Sequence, residues 1–117
     1  MTMALRADIF EKCMETGEKR PVDLVYLSSQ TMGDEALEAE ILAMFAAQLP
    51  GYILGVCEAS NIEEIQQASH TLKGAARSVG AFELANLAAE IETSHRVDGT
   101  ALQRALSDIL NFIETLT

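Results

Sequence analysis

The segment that decides the fold reads SNIEEIQQASHTLKGAARSVG, residues 60–80. Its start carries two overlapping capping boxes, because Ser60 and Asn61 each stand three residues before a glutamate. Its end carries Gly80, a residue suited to the left-handed conformation in which helices commonly terminate. Between these signals, apolar and small residues recur every three or four positions and form one stripe: Ile65, Ser69, Leu72, Ala76 and Val79. The segment is therefore predicted to be a helix that buries this stripe.

Two amphipathic helices are predicted after Gly80. The first spans about residues 82–94, and its core-facing residues are Leu84, Leu87, Ala88 and Ile91. The RVDG segment at residues 96–99 is then a loop, and Thr100 with Gln103 makes another capping box. The last helix follows, with its apolar face at Leu102, Leu106, Ile109, Ile113 and Leu116.

A long helix is predicted before residue 60. Asp34 and Glu35 place negative charge at its N-terminus, where the helix dipole favours it. Pro50 removes one backbone donor and crowds the preceding turn, so a kink or a short break is expected there, made easier by Gly51. The predicted core face consists of Leu37, Ile41, Met44, Phe45, Leu49, Ile53 and Val56.

Shorter helices are predicted at the N-terminus. Residues 3–15 form an amphipathic pattern through Leu5, Ile9, Phe10 and Met14. Pro21 suits the first turn of a second short helix, whose apolar residues are Val22, Leu24, Val25 and Leu27. Short connections make successive helices antiparallel neighbours. The predicted fold class is all-α, an antiparallel up-and-down four-helix bundle with one or two short extra N-terminal helices.

Length and composition indicate a single domain. At 117 residues and 49% hydrophobic content, the chain is expected to form one domain over residues 1–117. Within it, residues 1–32 are a helical extension and residues 33–117 the bundle core. The net charge of −10 argues against nucleic acid, whose phosphates require a basic face.

A cytoplasmic location without membrane contact is expected. No apolar run approaches the ~20 residues that span a bilayer, and the start MTMALRADIFEK has charges too early for a signal peptide. Cys13 and Cys57 stand alone, without metal-ligand spacing, and are expected to be buried or half-buried thiols in a reducing compartment.

His70 lies on the polar side of the deciding helix, about 140° from the centre of the buried stripe. Gln66, Lys73 and Arg77 lie in neighbouring turns on the same side, so this ridge is expected to face solvent. Gly74 shares the ridge although a helical glycine costs about 1 kcal/mol relative to alanine. The competing interpretation is an ordinary solvated histidine.

Phosphoryl transfer is the chemistry that this ridge suits. A neutral imidazole is a competent nucleophile at physiological pH. The ammonium of Lys73 offsets charge on phosphoryl oxygens, and Gly74 lets a large partner surface approach. Phosphoryl transfer depends mainly on the positioning of the reacting groups and on electrostatic stabilisation of the phosphoryl oxygens.

The string HTLKGAA at residues 70–76, followed by Gly80, Ala81 and Leu84, resembles the histidine-containing phosphotransfer (Hpt) domains of multistep two-component phosphorelays. The resemblance reaches upstream to Gly33, Asp34 and Phe45, and it covers about residues 33–95, with the phosphoacceptor hairpin at 61–95. The last helix matches by architecture.

The resemblance implies that His70 is the phosphoacceptor, Lys73 the cation beside the phosphate and Gly74 the clearance residue. The implied partners are receiver domains of response regulators and an upstream hybrid histidine kinase, and a monomer without a cofactor is expected. No P-loop or other nucleotide-binding glycine motif is present in the sequence. The chain is therefore predicted to be a phosphoryl carrier without kinase activity.

Arg96 is a further candidate for the phosphate environment. If the hairpin turns near Gly80, His70 lies level with Ile91 on the antiparallel helix. Arg96 then lies roughly 7 Å further along the axis, within reach of an arginine side chain. The competing interpretation is a solvated arginine at the start of the loop.

Two alternative functions remain open at this point. One is a bundle of the same fold that binds signalling partners without carrying phosphate. The other is a metal-binding bundle, which requires Glu-x-x-His pairs on two helices. Gln67 stands at the glutamate position before His70, and Glu92 with His95 is the one such pair in the sequence, so no metal site is predicted.

Overall fold

A computed structural model describes residues 20–116, and in that range the chain forms five helices and no strand. The helices are α1 (Leu24–Gln30), α2 (Glu35–Glu58), α3 (Ile62–Val79), α4 (Phe82–Ser94) and α5 (Gly99–Thr115). The predicted all-α helical bundle is thus confirmed. The predicted helix over residues 3–15 lies outside the described residues.

The helices α2 to α5 run alternately up and down around one core. The closest packing joins α3 to α4, while α2 packs on both α3 and α5, and α1 lies against α2 and α3. The fully buried large side chains come from every one of these helices: Leu24, Leu27, Leu49, Ile53, Leu72, Leu84, Ile91, Leu102 and Ile109. Burial of this apolar surface is the main term that stabilises the bundle.

Helix α3 has the boundaries that its sequence predicts. The Asn61 side chain accepts a hydrogen bond from the Glu64 N–H at 2.9 Å, and Glu64 Oε1 accepts one from the Ser60 N–H at 2.9 Å. The Glu64 side chain thus reaches back to Ser60, the residue before the N-cap, in a variant of the capping box. Gly80 ends the helix in the left-handed conformation, with φ of 86°. The Ala81 N–H then donates to the Ala76 carbonyl at 2.8 Å, which closes the turn into α4.

The short helix α1 is attached to this turn. The Asp23 N–H donates to the Gly80 carbonyl at 2.9 Å, and the Tyr26 ring meets Phe82 edge-on with centroids 5.0 Å apart. The prediction that Pro21 occupies the first turn of α1 is wrong. Asp23 is the N-cap, and its side chain accepts a hydrogen bond from the Tyr26 N–H at 3.0 Å, so the helix begins after it.

Helix α2 is continuous through Pro50, so the short break that the sequence allowed does not occur. Pro50 lies on the exposed side, while Leu49 and Ile53 are buried on either side of it. Tertiary packing of these two turns outweighs the single backbone hydrogen bond that proline removes.

The core face predicted for the first half of α2 is confirmed at Phe45 but is wrong at two positions. Leu37 and Met44 are 41% and 60% exposed, whereas Glu38 and Leu42 are buried. One partner of the buried Glu38 is Thr31, whose hydroxyl donates a hydrogen bond to Glu38 Oε2 at 3.0 Å. Because Glu38 occupies a buried position, the apolar residues alone do not show which side of α2 faces the core.

Two smaller expectations fail. Helix α5 begins at Gly99, because the Asp98 side chain accepts the Ala101 N–H at 3.0 Å and replaces the predicted Thr100 cap. Cys57 is exposed and not buried, since it lies on the side of α2 that faces away from the core. Cys13 is outside the described residues.

Within residues 20–116, α2 alone is long and apolar enough to cross a membrane. It has 24 residues, and an 18-residue stretch of it has a mean hydropathy of 1.5. The expectation that no segment meets this criterion is therefore wrong. The criterion is weak for a single helix, because a core helix of a soluble protein also meets it. In this fold, Leu42, Phe45, Leu49 and Ile53 of α2 pack in the bundle core.

Candidate functional site

His70 projects from the middle of α3, and 69% of its side chain is exposed. The opposite side of the same turns is the buried stripe, where Leu72 and Ala76 have no exposed surface. Ser69 is also buried, and its hydroxyl donates to the Ile65 carbonyl at 2.6 Å. The helix therefore holds its core face rigidly while it presents the imidazole to solvent.

Glu92 on α4 contacts both polar residues of the predicted site. The His70 Nδ1–H donates to Glu92 Oε2 at 2.9 Å, and the Lys73 ammonium donates to Oε1 of the same carboxylate at 2.6 Å. A neutral imidazole that donates through Nδ1 keeps its lone pair on Nε2. The carboxylate thus orients the ring and leaves the Nε2 lone pair without a role in this hydrogen bond.

The environment of Glu92 favours its charged form. The hydrogen bond from Lys73 holds the pKa of the Glu92 carboxyl below its usual value, against an opposing effect of partial desolvation. The hydrogen bond from His70 and the positive charge of Lys73 lower the pKa further. The carboxylate therefore stays ionised at neutral pH, which keeps the two hydrogen bonds charge-assisted.

We expect Glu92→Gln to reduce the acid sensitivity of the fold. A carboxyl whose pKa is lowered on folding contributes stability above the unfolded pKa of about 4.3 and loses it as the pH falls through the folded pKa. The free energy of unfolding of the variant should therefore fall less between pH 7 and pH 3 than that of the wild type. Denaturant titrations at both pH values measure this difference.

The matched control for this prediction is Glu90→Gln, an exposed glutamate two residues earlier on α4. It should change the pH dependence less than Glu92→Gln does. Equal pH dependence for the wild type and Glu92→Gln would contradict the contribution assigned to this carboxylate.

Gly74 and Arg77 continue the exposed ridge of α3. A Cβ atom added at Gly74 would meet no atom within 4 Å, so the fold of residues 20–116 does not require a glycine there. Arg77 is exposed in the last turn of α3, where a cation also interacts favourably with the helix dipole.

The remaining predicted residues lie towards the C-terminal end of α4. The Gln66 amide donates to His95 Nε2 at 3.0 Å, and the Arg96 N–H donates to the Ser94 hydroxyl at 3.2 Å. Neither Arg77 nor Arg96 makes a hydrogen bond or an ion pair with His70 in the described structure. His70 and Lys73 are therefore connected by their hydrogen bonds to Glu92. Arg77 and Arg96 are exposed charges outside this group.

Glu92 is the site residue that sequence reasoning missed. The helical register did place His70 level with Ile91, one position from Glu92. Glu92 and His95 have the Glu-x-x-His spacing of metal ligands, but the Glu92 carboxylate contacts His70 and Lys73. Residues 20–116 contain no cluster of three or more metal-ligating side chains.

The fold and the exposed ridge define a class of protein, a helical bundle that presents a histidine on a solvent-facing helix. The family model of the Hpt domain matches residues 35–116, more than two thirds of the chain. The chain therefore belongs to the Hpt domain family. Comparison of the chain with curated proteins and with solved structures finds no match.

Family membership supplies the general role. Hpt domains are phosphotransfer carriers in phosphorelays, and they act as phosphocarrier modules rather than as catalysts. Their partners are, in general, receiver domains and kinases.

Proposed function

We propose that this protein accepts a phosphoryl group on Nε2 of His70 and passes it to the aspartate of a response regulator. The donor is a receiver-domain aspartyl phosphate or a histidine kinase. The observation that carries the proposal is the Glu92 carboxylate, which binds the Nδ1–H of His70 and the ammonium of Lys73 together. This arrangement supports an oriented nucleophile with a cation beside it.

The transfer balances without any further reactant. The Nε2 lone pair forms the N–P bond while the O–P bond of the aspartyl phosphate breaks, and the carboxylate of the donor leaves. The Nδ1 proton remains in its hydrogen bond to Glu92. In the second transfer, an oxygen of the acceptor aspartate attacks phosphorus and the N–P bond breaks, which regenerates the neutral imidazole.

Lys73 is proposed as the cation that offsets the phosphoryl charge. Its side chain is only 20% exposed, so the protein partly desolvates the ammonium and strengthens its electrostatic interactions. An ammonium has three donors, and the hydrogen bond to Glu92 uses one of them. Two donors are thus available for phosphoryl oxygens, while Glu92 keeps the ammonium near His70.

Gly74 is proposed to give partner domains access to His70. We expect Gly74→Ala to stabilise the fold by up to about 1 kcal/mol, because alanine is the better helix former and its Cβ meets open space. We expect Gly74→Gln to fold equally well but to slow phosphoryl transfer, because its side chain occupies the approach path of the partner. Single-turnover transfer from a phosphorylated receiver domain measures the rate.

The control for this prediction is Ser78→Gln, one turn further along α3 from Gly74 and also exposed. It should leave the transfer rate closer to the wild-type value than Gly74→Gln does. A wild-type transfer rate for Gly74→Gln would contradict the clearance role.

Gln66, Arg77 and Arg96 are proposed as the outer part of the same surface. Arg77 continues the ridge beyond Gly74, where its guanidinium is positioned to meet acidic residues of a partner. Arg96 follows the C-terminal end of α4 and offers a fork of donors to phosphoryl oxygens. Gln66 holds His95 beside this end of the site.

The remaining features of the proposal concern the whole protein. We propose that the chain is a cytoplasmic monomer, without kinase activity, that works between a hybrid histidine kinase and response-regulator receiver domains. Residues 1–117 are proposed as one domain, with an extension at 1–32 and the bundle core at 33–117.

Incubation with a phosphorylated receiver domain tests the function. The expected product is a label on this chain that is stable in base and labile in acid, as a phosphohistidine is. A non-phosphorylated adaptor would bind the receiver domain and acquire no label, so that result would replace the proposed function with the alternative one.

A further inference from the structure

The Nδ1 side of the His70 ring contacts a charged group of a neighbouring helix, the Glu92 carboxylate of α4, at 2.9 Å. The other helices that pack on α3 bring no charge close to the ring. Residues 41–57 of α2 contain no charged side chain. On α1, Asp23 lies at the Gly80 turn, about 15 Å from His70 along α3. Within residues 20–116, Glu92 is therefore the carboxylate that acts directly on the ring.

The Glu92 carboxylate is held in its ionised form by a second donor. The Lys73 ammonium donates to Oε1 at 2.6 Å, and this hydrogen bond is the main cause that keeps the pKa of Glu92 below its usual value. Arg77, the other cation of α3, lies seven residues from His70, about 10 Å along the helix. A charged acceptor thus stays beside Nδ1 from about pH 5 upwards.

The proton on Nδ1 determines how readily a phosphoryl group on Nε2 can leave. When the Nε2 lone pair of the neutral ring attacks phosphorus, the ring keeps its Nδ1 proton and becomes a cation. The next transfer then expels a neutral imidazole. If the Nδ1 proton is lost first, the same N–P cleavage has to expel an imidazolate anion, which is a much poorer leaving group.

We propose that Glu92 retains the Nδ1 proton on phosphorylated His70 and so keeps the phosphohistidine in its readily transferred, short-lived form. A carboxylate stabilises the cationic ring more than the neutral ring, because hydrogen bonds between two charged groups are stronger. Glu92 does not touch the phosphoryl group and acts as a positioning residue for the proton. The inference rests on the proposed role of His70 and adds a determinant of how long the phosphoryl group stays there.

A glutamine at position 92 cannot replace the carboxylate. His70 Nδ1 and the Lys73 ammonium both donate to Glu92, whereas an amide offers one acceptor oxygen and one donor nitrogen. If the amide oxygen binds Lys73, the amide nitrogen faces Nδ1 and donates to its lone pair. Glu92→Gln therefore favours the phosphorylated ring without its Nδ1 proton.

The lifetime of a chemically introduced phosphoryl group tests this inference without any partner domain. Phosphoramidate, a small donor, forms the N–P bond at Nε2 while ammonia leaves. All chains carry His95→Gln, so that His70 is the remaining histidine. Phosphorus NMR then follows the loss of the group to water between about pH 5 and about pH 9. In that step a water oxygen attacks phosphorus, and inorganic phosphate and neutral imidazole are released.

The expected result is a shift in the pH profile of this loss. The rate should fall as the pH rises, because the Nδ1 proton is lost, and its midpoint should lie about 0.5 pH units or more lower for Glu92→Gln. Above the midpoint, Glu92→Gln should then lose the group about threefold more slowly. Glu90→Gln removes the same charge from the exposed side of α4 and should keep the original midpoint. Glu92→Asp retains the charge and should give an intermediate midpoint.

Each other outcome overturns the inference. Equal midpoints with and without Glu92→Gln would remove the role of the carboxylate, and an equal shift for Glu90→Gln would assign the effect to overall charge. Faster loss from Glu92→Gln would mean that the carboxylate protects the phosphoryl group. No label on His70 from phosphoramidate would contradict the accessible Nε2 on which the inference depends.

Failure of the proposed function gives a different result. If no receiver domain labels the chain although the midpoints differ, the carrier role is wrong and the effect of Glu92 on the ring stands. If receiver domains do label the chain and the midpoints are equal, this inference alone is wrong.

Discussion

We expect His70→Gln to abolish phosphoryl acceptance from a phosphorylated receiver domain. Glutamine retains a polar side chain, but its amide nitrogen has no lone pair that can attack phosphorus. Because 69% of the His70 side chain is exposed, the substitution should leave the helical content and the free energy of unfolding close to their wild-type values. Labelling followed by gel electrophoresis, with circular dichroism for the fold, measures both effects.

His95→Gln is the matched control, because His95 is the other histidine of the chain and lies at the C-terminal end of α4. It contacts Gln66 and lacks the bridge to Lys73 that Glu92 gives to His70. The control should retain label. Label that persists on His70→Gln, or that disappears from His95→Gln, would contradict the assignment of the phosphoacceptor.

We expect Gly80→Ala to be the most destabilising small substitution in the hairpin. Its φ of 86° costs an L-residue about 1–2 kcal/mol. In addition, the new Cβ atom would lie 2.9 Å from the Asp23 carbonyl oxygen, so the backbone before α1 would have to move. That movement would weaken the hydrogen bond from the Asp23 N–H to Gly80 and the contact between Tyr26 and Phe82.

The expected decrease in the free energy of unfolding is about 2 kcal/mol or more, measured by denaturant titration. Gly99→Ala is the control, because a Cβ atom there meets no atom within 4 Å and Gly99 lies in the first turn of α5. It should be neutral or stabilising. A change below about 0.5 kcal/mol for Gly80→Ala would show that α1 is not held by this turn.

The parts of the fold that local chemistry determines were predictable from the sequence. Helix α3 begins after Asn61 and ends before Gly80, as predicted. Both signals depend only on interactions with residues that are close in the sequence. The apolar stripe of α3 was also predicted, since each of its members follows the 3.6-residue period. The exposure of His70 then followed from its angle to that stripe.

The wrong predictions concern positions whose burial or helical conformation depends on residues elsewhere in the chain. Glu38 is buried where Thr31 supplies a hydrogen bond across the turn before α2, and no periodicity in α2 reveals that partner. Pro50 remains helical because the packing of Leu49 and Ile53 outweighs a local penalty. These outcomes depend on tertiary contacts, which a single sequence does not display.

Glu92 illustrates the same limit within the site. Its position on α4 was known from the sequence, and the predicted register placed it close to His70. The hydrogen bonds from the Nδ1–H of His70 and from Lys73 depend on side-chain directions across two helices. Sequence reasoning therefore named His70 and Lys73 as candidates, and the structure added the carboxylate that both of them contact.

The most direct test of the carrier function is the position of the phosphoryl group on the wild-type chain. After incubation with a phosphorylated receiver domain, nitrogen and phosphorus NMR should show a single N–P bond at Nε2 of His70. Addition of a second, unphosphorylated receiver domain should then remove the signal. A phosphoryl group on another residue or on Nδ1, or no transfer from any receiver domain that binds the chain, would contradict the proposed function.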